Sequence, residues 1–338
     1  MRKVKLIFAA TLMLAFAGCA VGPKYRRPNS DVPPAYRGQV PELTQTPPAS
    51  LGDADWKAVF QDEELQKLIS TALERNYDVR IAAERVIAAQ AQLGITRADQ
   101  LPNVSVGAGA STIRQPQSKL TPAYQVEAGQ VSASASWEID FWGRYRRASE
   151  AARANLAATE WGQRAVRNTI VSSVATAYLQ LRELDAELEI TQNSLKSRQE
   201  SLRLTSVLAN GGATSMADVR QAEQLVYTAS AAIPVLQQQI EQQENFISTL
   251  LGQNPGPIAR GKSITEQPRL ASIPAGLPSQ LIDRRPDIRQ AEEQLVAANA
   301  QIGVAKAALF PSISLTGTAG YQSTALTGLF SSPAGIWN

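Results

Sequence analysis

The feature that most constrains this chain is a stretch that occurs twice. Residues 78–106, DVRIAAERVIAAQAQLGITRADQLPNVSV, moved 209 positions along without a gap, correspond to residues 287–315, DIRQAEEQLVAANAQIGVAKAALFPSISL. Twelve of the 29 paired positions are identical, among them Asp78/Asp287, Arg80/Arg289, Glu84/Glu293, Gly94/Gly303 and Pro102/Pro311. Both copies change period at the proline. Small residues at helical spacing come before it; after it Val104, Val106, Ala108 and Ala110 take turns with Ser105, Gly107, Gly109 and Ser111. Each copy therefore predicts a helix running into a strand. A period this long excludes a solenoid of small units and points to a duplicated half-molecule. With the first unit starting near Phe60, a complete second unit would extend about 140 residues beyond Asn338, so the second half is expected to be incomplete.

The N-terminus stands apart from any fold. Arg2, Lys3 and Lys5 precede an apolar run, residues 6–16, which ends at Ala17-Gly18-Cys19. That run is too short to span a bilayer and has the grammar of an export signal. It resembles a bacterial lipoprotein signal, with Phe16 where an aliphatic residue is usual. The resemblance implies that Cys19 is acylated and becomes the first mature residue, and Ala20 after it resembles sorting to the outer membrane. Removing residues 1–18 takes away three positive charges, so the formal +3 falls to zero and gives no basic surface for nucleic acid.

Several chemistries are excluded. The chain has no histidine, which removes imidazole acid–base catalysis, Ser-His-Asp triads and His-containing metal sites. Its single cysteine is committed to the anchor, so thiolate metal sites and disulfides go too. No enzyme activity, cofactor or metal is expected beyond a lipid on Cys19. Residues 256–263, GPIARGKS, match the phosphate-cradling GxxxxGKS pattern, but they follow a helix, carry Pro257 and lead into no second helix. Without the strand-to-helix context the pattern predicts an ordinary Pro/Gly linker.

In chain order, residues 1–18 are the signal and 19–55 a proline-rich extended arm. Residues 56–269 form the first repeat: a short helix 62–75 opened by Asp62-Glu63-Glu64, the repeat helix, strands at about 103–112 and 130–141, and helices at about 144–210 and 216–251. A polar loop, 113–125, is expected between the strands. The second strand sets Val131, Ala133, Ala135, Trp137, Ile139 and Phe141 against Ser132, Ser134, Ser136, Glu138 and Asp140. This alternation suits a hairpin of a soluble sheet with one face on a core or a membrane strand with one lipid and one wet face; the lipoprotein-like signal and the repeated strand at 312–321 favour the second. The two long helices carry seven-residue stripes, Val174, Leu181, Leu188, Leu195, Leu202 and Val219, Val226, Ile233, Ile240, Ile247, which predict an antiparallel coiled-coil hairpin turning at Gly211-Gly212. Pro234 is expected to disturb the second of them. Residues 270–338 are the incomplete second repeat, with a helix at about 287–308 and a strand at about 312–321, giving three strands in all.

Several segments in order resemble one family. They are the 21–25 arm VGPKY, the strand end 137–144 WEIDFWGR, the turn 212–219 GATSMADV, Leu250-Leu251-Gly252, and 275–278 AGLP leading to 284–287 RRPD. Together they look like the outer-membrane factors of tripartite efflux systems, on the branch of the OprM/NodT-type lipoproteins, relatives of TolC. The resemblance implies a fold of mixed all-α and membrane β character: long antiparallel α-helical hairpins continued by transmembrane β-strands, internally duplicated and trimeric. It implies a passive exit duct in the outer membrane for drugs or other small toxic compounds, served by an inner-membrane pump and gripped by a periplasmic adaptor at Gly212, Ser215, Asp218 and Val219. Gly212 also suits the tight turn, and Ser215 or Asp218 the cap of the returning helix. The competing expectation is a lipid-anchored periplasmic coiled-coil structural or adaptor protein without a pore.

Overall fold

The computed structural model describes residues 20–29, 55–117, 122–267 and 282–338. Its elements run α1 (Trp56–Val59), α2 (Glu63–Arg75), α3 (Tyr77–Ala98), β1 (Asn103–Gln115), β2 (Tyr124–Glu138), α4 (Arg144–Asn210), α5 (Met216–Leu250), α6 (Pro286–Ala307), β3 (Ser314–Ser323) and β4 (Gly335–Trp337). Two compact units divide it. One holds residues 20–29 of the arm with Ile87–Ala158 and Gln290–Asn338, and the other holds Thr159–Arg289 with the residues before Ile87 back to the start of α1.

The second unit is built on the predicted stripes. Val174, Leu181, Ile240 and Ile247 are buried together with Leu65, Ile69 and Ala72 of α2, and with Ile170, Ala177 and Tyr178 of α4. Each fully buried Leu or Ile here contributes about 1.5–3 kcal/mol. Toward the hairpin turn the α4 stripe thins, and Leu195 and Leu202 are only half-buried. Pro234 lies inside α5 without ending it. Helix α2 starts where expected because the Asp62 carboxylate accepts from the Glu64 and Leu65 amides.

Asp62 is also the centre of a buried polar knot. Its Oδ2 accepts from Tyr178 Oη (3.1 Å), the Lys262 amide (3.0 Å) and Gln267 Nε2 (2.8 Å), while Tyr178 Oη accepts from the Gly261 amide (2.8 Å). Burial alone would raise the Asp62 carboxyl, but the hydrogen bonds from Gln267, Leu65, Tyr178 and Lys262 outweigh it and hold the pKa below the ordinary value. Burial, with the Asp62 charge beside it, pushes the Tyr178 phenol up to about 12 against the Gly261 amide bond. The phosphate-loop look-alike is thus an irregular linker whose Gly261 and Lys262 amides serve Tyr178 and Asp62.

The first unit contains the sheet, ordered β1-β2-β3-β4 and antiparallel throughout. Strands from both repeats lie side by side, with Ser132 opposite Gly320 and Ala133 opposite Ala319. Four sequence expectations are corrected. First, β1 and β2 run on to Gln115 and back from Tyr124, so residues 113–115 and 124–125 of the expected loop are ladder. Polar residues there do not end the strands because neither face covers a core. Second, β2 stops at Glu138, short of 141, because Phe141 N–H turns back to the Ile139 carbonyl (2.8 Å). Third, β3 occupies Ser314–Ser323 in place of 312–321, and a fourth short strand, β4, pairs with it at Ala319, Gly320 and Tyr321. Fourth, residues 20–29 of the arm are not a free extended linker: they are bonded to α4 and α6, since the Val21 amide donates to the Trp142 carbonyl (3.0 Å) and Asn299 Nδ2 to the Pro23 carbonyl (3.1 Å). The rest of the arm, up to residue 54, lies outside the described residues.

Candidate functional site

The sheet carries the predicted alternation across strands as well as along them. Val104, Val106 and Ala108 of β1 stand opposite Ala135, Ala133 and Val131 of β2, which in turn stand opposite Gly317, Ala319 and Tyr321 of β3. On the other face Ser105, Gly107 and Gly109 meet Ser134, Ser132 and Gln130, then Thr318, Gly320 and Gln322. Ser105 and Ser134 hydroxyls bond across at 2.7 Å. All thirteen β1 residues are exposed, so the β1 part of the apolar face is open, while Tyr321 on β3 meets Phe330 edge-on at 5.7 Å between centroids. From the level of Trp137 to Ala110 that face is roughly 25 Å long, the height of the apolar band of a transmembrane barrel.

Where the sheet meets α4, aromatic rings gather at the lower edge of the band. Trp142 stacks on Phe310 at 4.5 Å between centroids and meets Phe141 edge-on at 5.0 Å. The indole N–H of Trp137 donates to the Gln100 carbonyl, and that of Trp142 to the Pro311 carbonyl, both at 3.0 Å. Such rings, apolar in body with one polar handle satisfied, suit a membrane–water boundary. The same segment starts the long helix. Gly143 takes φ +80°, and the Asp140 carboxylate accepts from the amides of Tyr145 (3.1 Å) and Arg146 (2.9 Å), capping α4. Glu138 accepts from Arg144 (2.7 Å) and Tyr145 Oη (2.9 Å), tying the last strand residue to the first helical turn. The 137–144 segment is therefore a strand-to-helix joint in which each polar residue has a mechanical reason.

At the far end of α4 the hairpin turns through a six-residue motif. The Ala213 amide reaches the Leu208 carbonyl (2.8 Å) and the Gly212 amide that of Ala209 (3.0 Å), with Gly212 at φ +76°. Only glycine takes that conformation cheaply. Ser215 and Asp218 form a reciprocal capping box on α5: Ser215 Oγ accepts from the Asp218 amide (3.3 Å), and Asp218 Oδ2 accepts from the Ser215 amide (3.0 Å). Hydrogen bonds from the Thr214 and Ser215 hydroxyls and the Ser215 amide hold the Asp218 carboxyl below its ordinary pKa. Gly212, Ser215 and Asp218 are exposed, as are the apolar Val207, Leu208 and Met216 around them.

The model of the outer membrane efflux protein family matches residues 68–253 and 277–338. The chain belongs to the outer membrane efflux protein family. It is 37% identical over its whole length to TtgC, a probable efflux pump outer membrane protein of Pseudomonas putida, and 34% identical over 96% of its length to CusC, a cation efflux system protein of Escherichia coli. In each case it spans 70% of the relative. Among solved structures it superimposes on the outer-membrane channel OprN with a TM-score of 0.84 at 31% identity, over 95% of this chain and 72% of that one. The open state of the MtrE outer membrane channel of Neisseria gonorrhoeae gives 0.81 at 32% identity, over 95% and 71%. The chain is thus an outer-membrane efflux channel component, and the expected fold of long helices continued by membrane strands is the fold of its solved relatives.

Within this efflux family framework the predicted site residues fall in two places. Gly212, Ser215, Asp218 and Val219 come together at the hairpin tip, but Val219 is 6% exposed and serves the hairpin interior, leaving the other three on the surface. Cys19 lies outside the described residues. Sequence reasoning missed two functional pieces. The capping role of Asp140 had a signal, an acidic residue just before a Gly and a long helical pattern. The seat of the arm had a fainter one, a glycine following the presumed mature N-terminus.

Proposed function

We propose that this chain is the exit duct of a multi-component efflux system: a homotrimer whose sheets join into one closed wall, lipid-anchored through Cys19, with the hairpin tip received by a periplasmic adaptor that links it to an inner-membrane pump. The observation that carries this is the two-faced sheet, apolar on one side and small and polar on the other, whose strand β1 is exposed along its whole length. In lipid its outer edges would leave backbone groups unpaired, at several kcal/mol each, unless other copies continue the ladder. Four strands are too few to close alone, since about eight make the smallest barrel, so three copies are a natural solution. The tip supports the adaptor reading: a rigid Gly212 turn with a capped helix start presents Ser215, Asp218 and an apolar fringe. Polar small residues on the inner face suit a passive duct for small toxic compounds. The test is fractionation of cells expressing the chain, with photo-crosslinking from position 215. A heat-modifiable trimer in the outer membrane that crosslinks to the adaptor is expected. An acylated monomer released by mild detergent, with no such trimer, would instead establish a periplasmic coiled-coil rod.

A further inference from the structure

We propose that residues 20–27 are a brace, seated on the second copy of the repeat through a glycine-to-glycine contact, that fixes the start of the mature chain at the strand-to-helix joint. The segment is held on both sides. Toward α4, the Val21 amide donates to the Trp142 carbonyl (3.0 Å), and the Arg147 guanidinium donates to the carbonyls of Val21 and Gly22 (both 3.3 Å). Toward α6, Asn299 donates to the Pro23 carbonyl (3.1 Å) and Arg27 pairs with Glu292 (2.8 Å). Arg147 is itself buried, at 6% exposure.

Three glycines make the seat possible. Gly22 takes φ +115°, and a Cβ there would lie 2.5 Å from Gly303 Cα. A Cβ on Gly303 would lie 3.0 Å from the Val21 carbonyl oxygen and 2.9 Å from Arg147 Cγ, and one on Gly143 would lie 2.8 Å from Ala20 Cα. Contacts this short against backbone cannot be relieved by a rotamer change. The twin of Gly303 in the first copy, Gly94, has nothing within 4 Å of the same added atom. The repeated glycine therefore has a packing reason in one copy only, and that reason is the brace. By gripping α4 of the first repeat and α6 of the second, it bridges the two halves next to the Trp142–Phe310 stack.

The consequence for the anchor rests on the reading of Cys19 as lipidated. Ala20 packs against Gly143, so acyl chains on the preceding residue would leave the protein at the height of the aromatic boundary and not from the end of a loose tether. The test uses the full chain in detergent-solubilised outer membranes, timing tryptic cleavage after Lys24. Gly303→Val should speed that cleavage about tenfold or more by raising the undocked population, while Gly94→Val should leave it within about twofold. Equal effects of the two, or none, overturn the brace. Should Gly303→Val not accumulate, Arg27→Glu decides in its place: acceleration that Glu292→Arg reverses supports the brace, and no acceleration or no reversal overturns it. Palmitate labelling of the unaltered protein separates the two readings. A protected but unlabelled arm removes the anchor and keeps the brace, whereas a labelled arm cut as fast as an unstructured peptide removes the brace and keeps the anchor.

Discussion

The two copies of the repeat place the same residues in opposite surroundings. Ala88, Ala91, Gly94 and Ala98 of α3 are exposed, while their identical partners Ala297, Ala300, Gly303 and Ala307 of α6 are buried. The helices start differently too. Asn76 caps α3, its Oδ1 accepting from the Asp78 and Val79 amides while its Nδ2 reaches the Leu250 carbonyl (2.9 Å). At the matching point of α6 stands Arg285, paired in solvent with Asp287 (2.6 Å) and followed by Pro286 at the first helical position. Local sequence thus makes both helices, but the covering of a small-residue stripe depends on what else the chain brings to it. For α6 that is the arm and Arg147 of α4; for α3 no such cover is seen among the described residues. A small stripe admits backbone at close range, and where nothing approaches it stabilises little.

Paired substitutions test that asymmetry, starting with the largest difference. Ala300 is fully buried, so Ala300→Leu should overpack it and cost about 1–3 kcal/mol, against within about 0.5 kcal/mol for Ala91→Leu, as followed by thermal unfolding in detergent. Equal losses would mean that α3 is covered as well. Next, the order reverses at the helix starts: Asn76→Ala should cost about 1–2 kcal/mol through the lost cap and buried bond, and Arg285→Ala, whose pair stands in solvent, clearly less. Third, Phe310→Ala removes the stack on Trp142 and should cost about 0.5–1.5 kcal/mol more than Leu101→Ala at the matching position, which is 66% exposed. A tryptophan emission shift should accompany only the former.

The smallest effect is one of pH. Hydrogen bonding from Arg285 lowers the Asp287 carboxyl from its ordinary 3.8. A depressed carboxyl contributes stability that is present above 3.8 and is lost as pH falls through the folded value, so the second helix start should loosen only in acid. Carbon-13 titration of Asp287 should show its midpoint move up toward 3.8 in Arg285→Ala. No movement would show that the pair does not persist in solution.

Much of the architecture was legible in the residues because it rests on period. A seven-residue apolar stripe in a run without proline and with Gly162 as its one glycine has few outcomes other than a long helix, and the first long helix runs over the expected 144–210. The turn at Gly211-Gly212 and the cap at Ser215 follow from backbone chemistry within a few residues. Strand ends were misjudged because alternation reports which face is apolar and not where the ladder stops. In a sheet without a covered core, polar Thr112, Arg114, Gln125 and Glu127 can go on pairing. The joint at residues 138–146 carries only a resemblance and the faint signal of Asp140 before Gly143, since the partners of Glu138 and Asp140 are set by how the chain bends after the strand.

The sequence by itself determined the duplication, the helix-into-strand order, the coiled hairpin and the absence of imidazole chemistry, because each is written in spacing or in residue type. The tertiary structure alone decided which copy of an identical stripe is covered, that Val219 faces inward, that β2 joins strands of the two repeats, and that residues 20–29 of the arm are seated and not free. Those facts depend on contacts between residues far apart in the chain, such as Gly22 with Gly303 and Asp62 with Lys262, and no local period encodes a meeting of that kind.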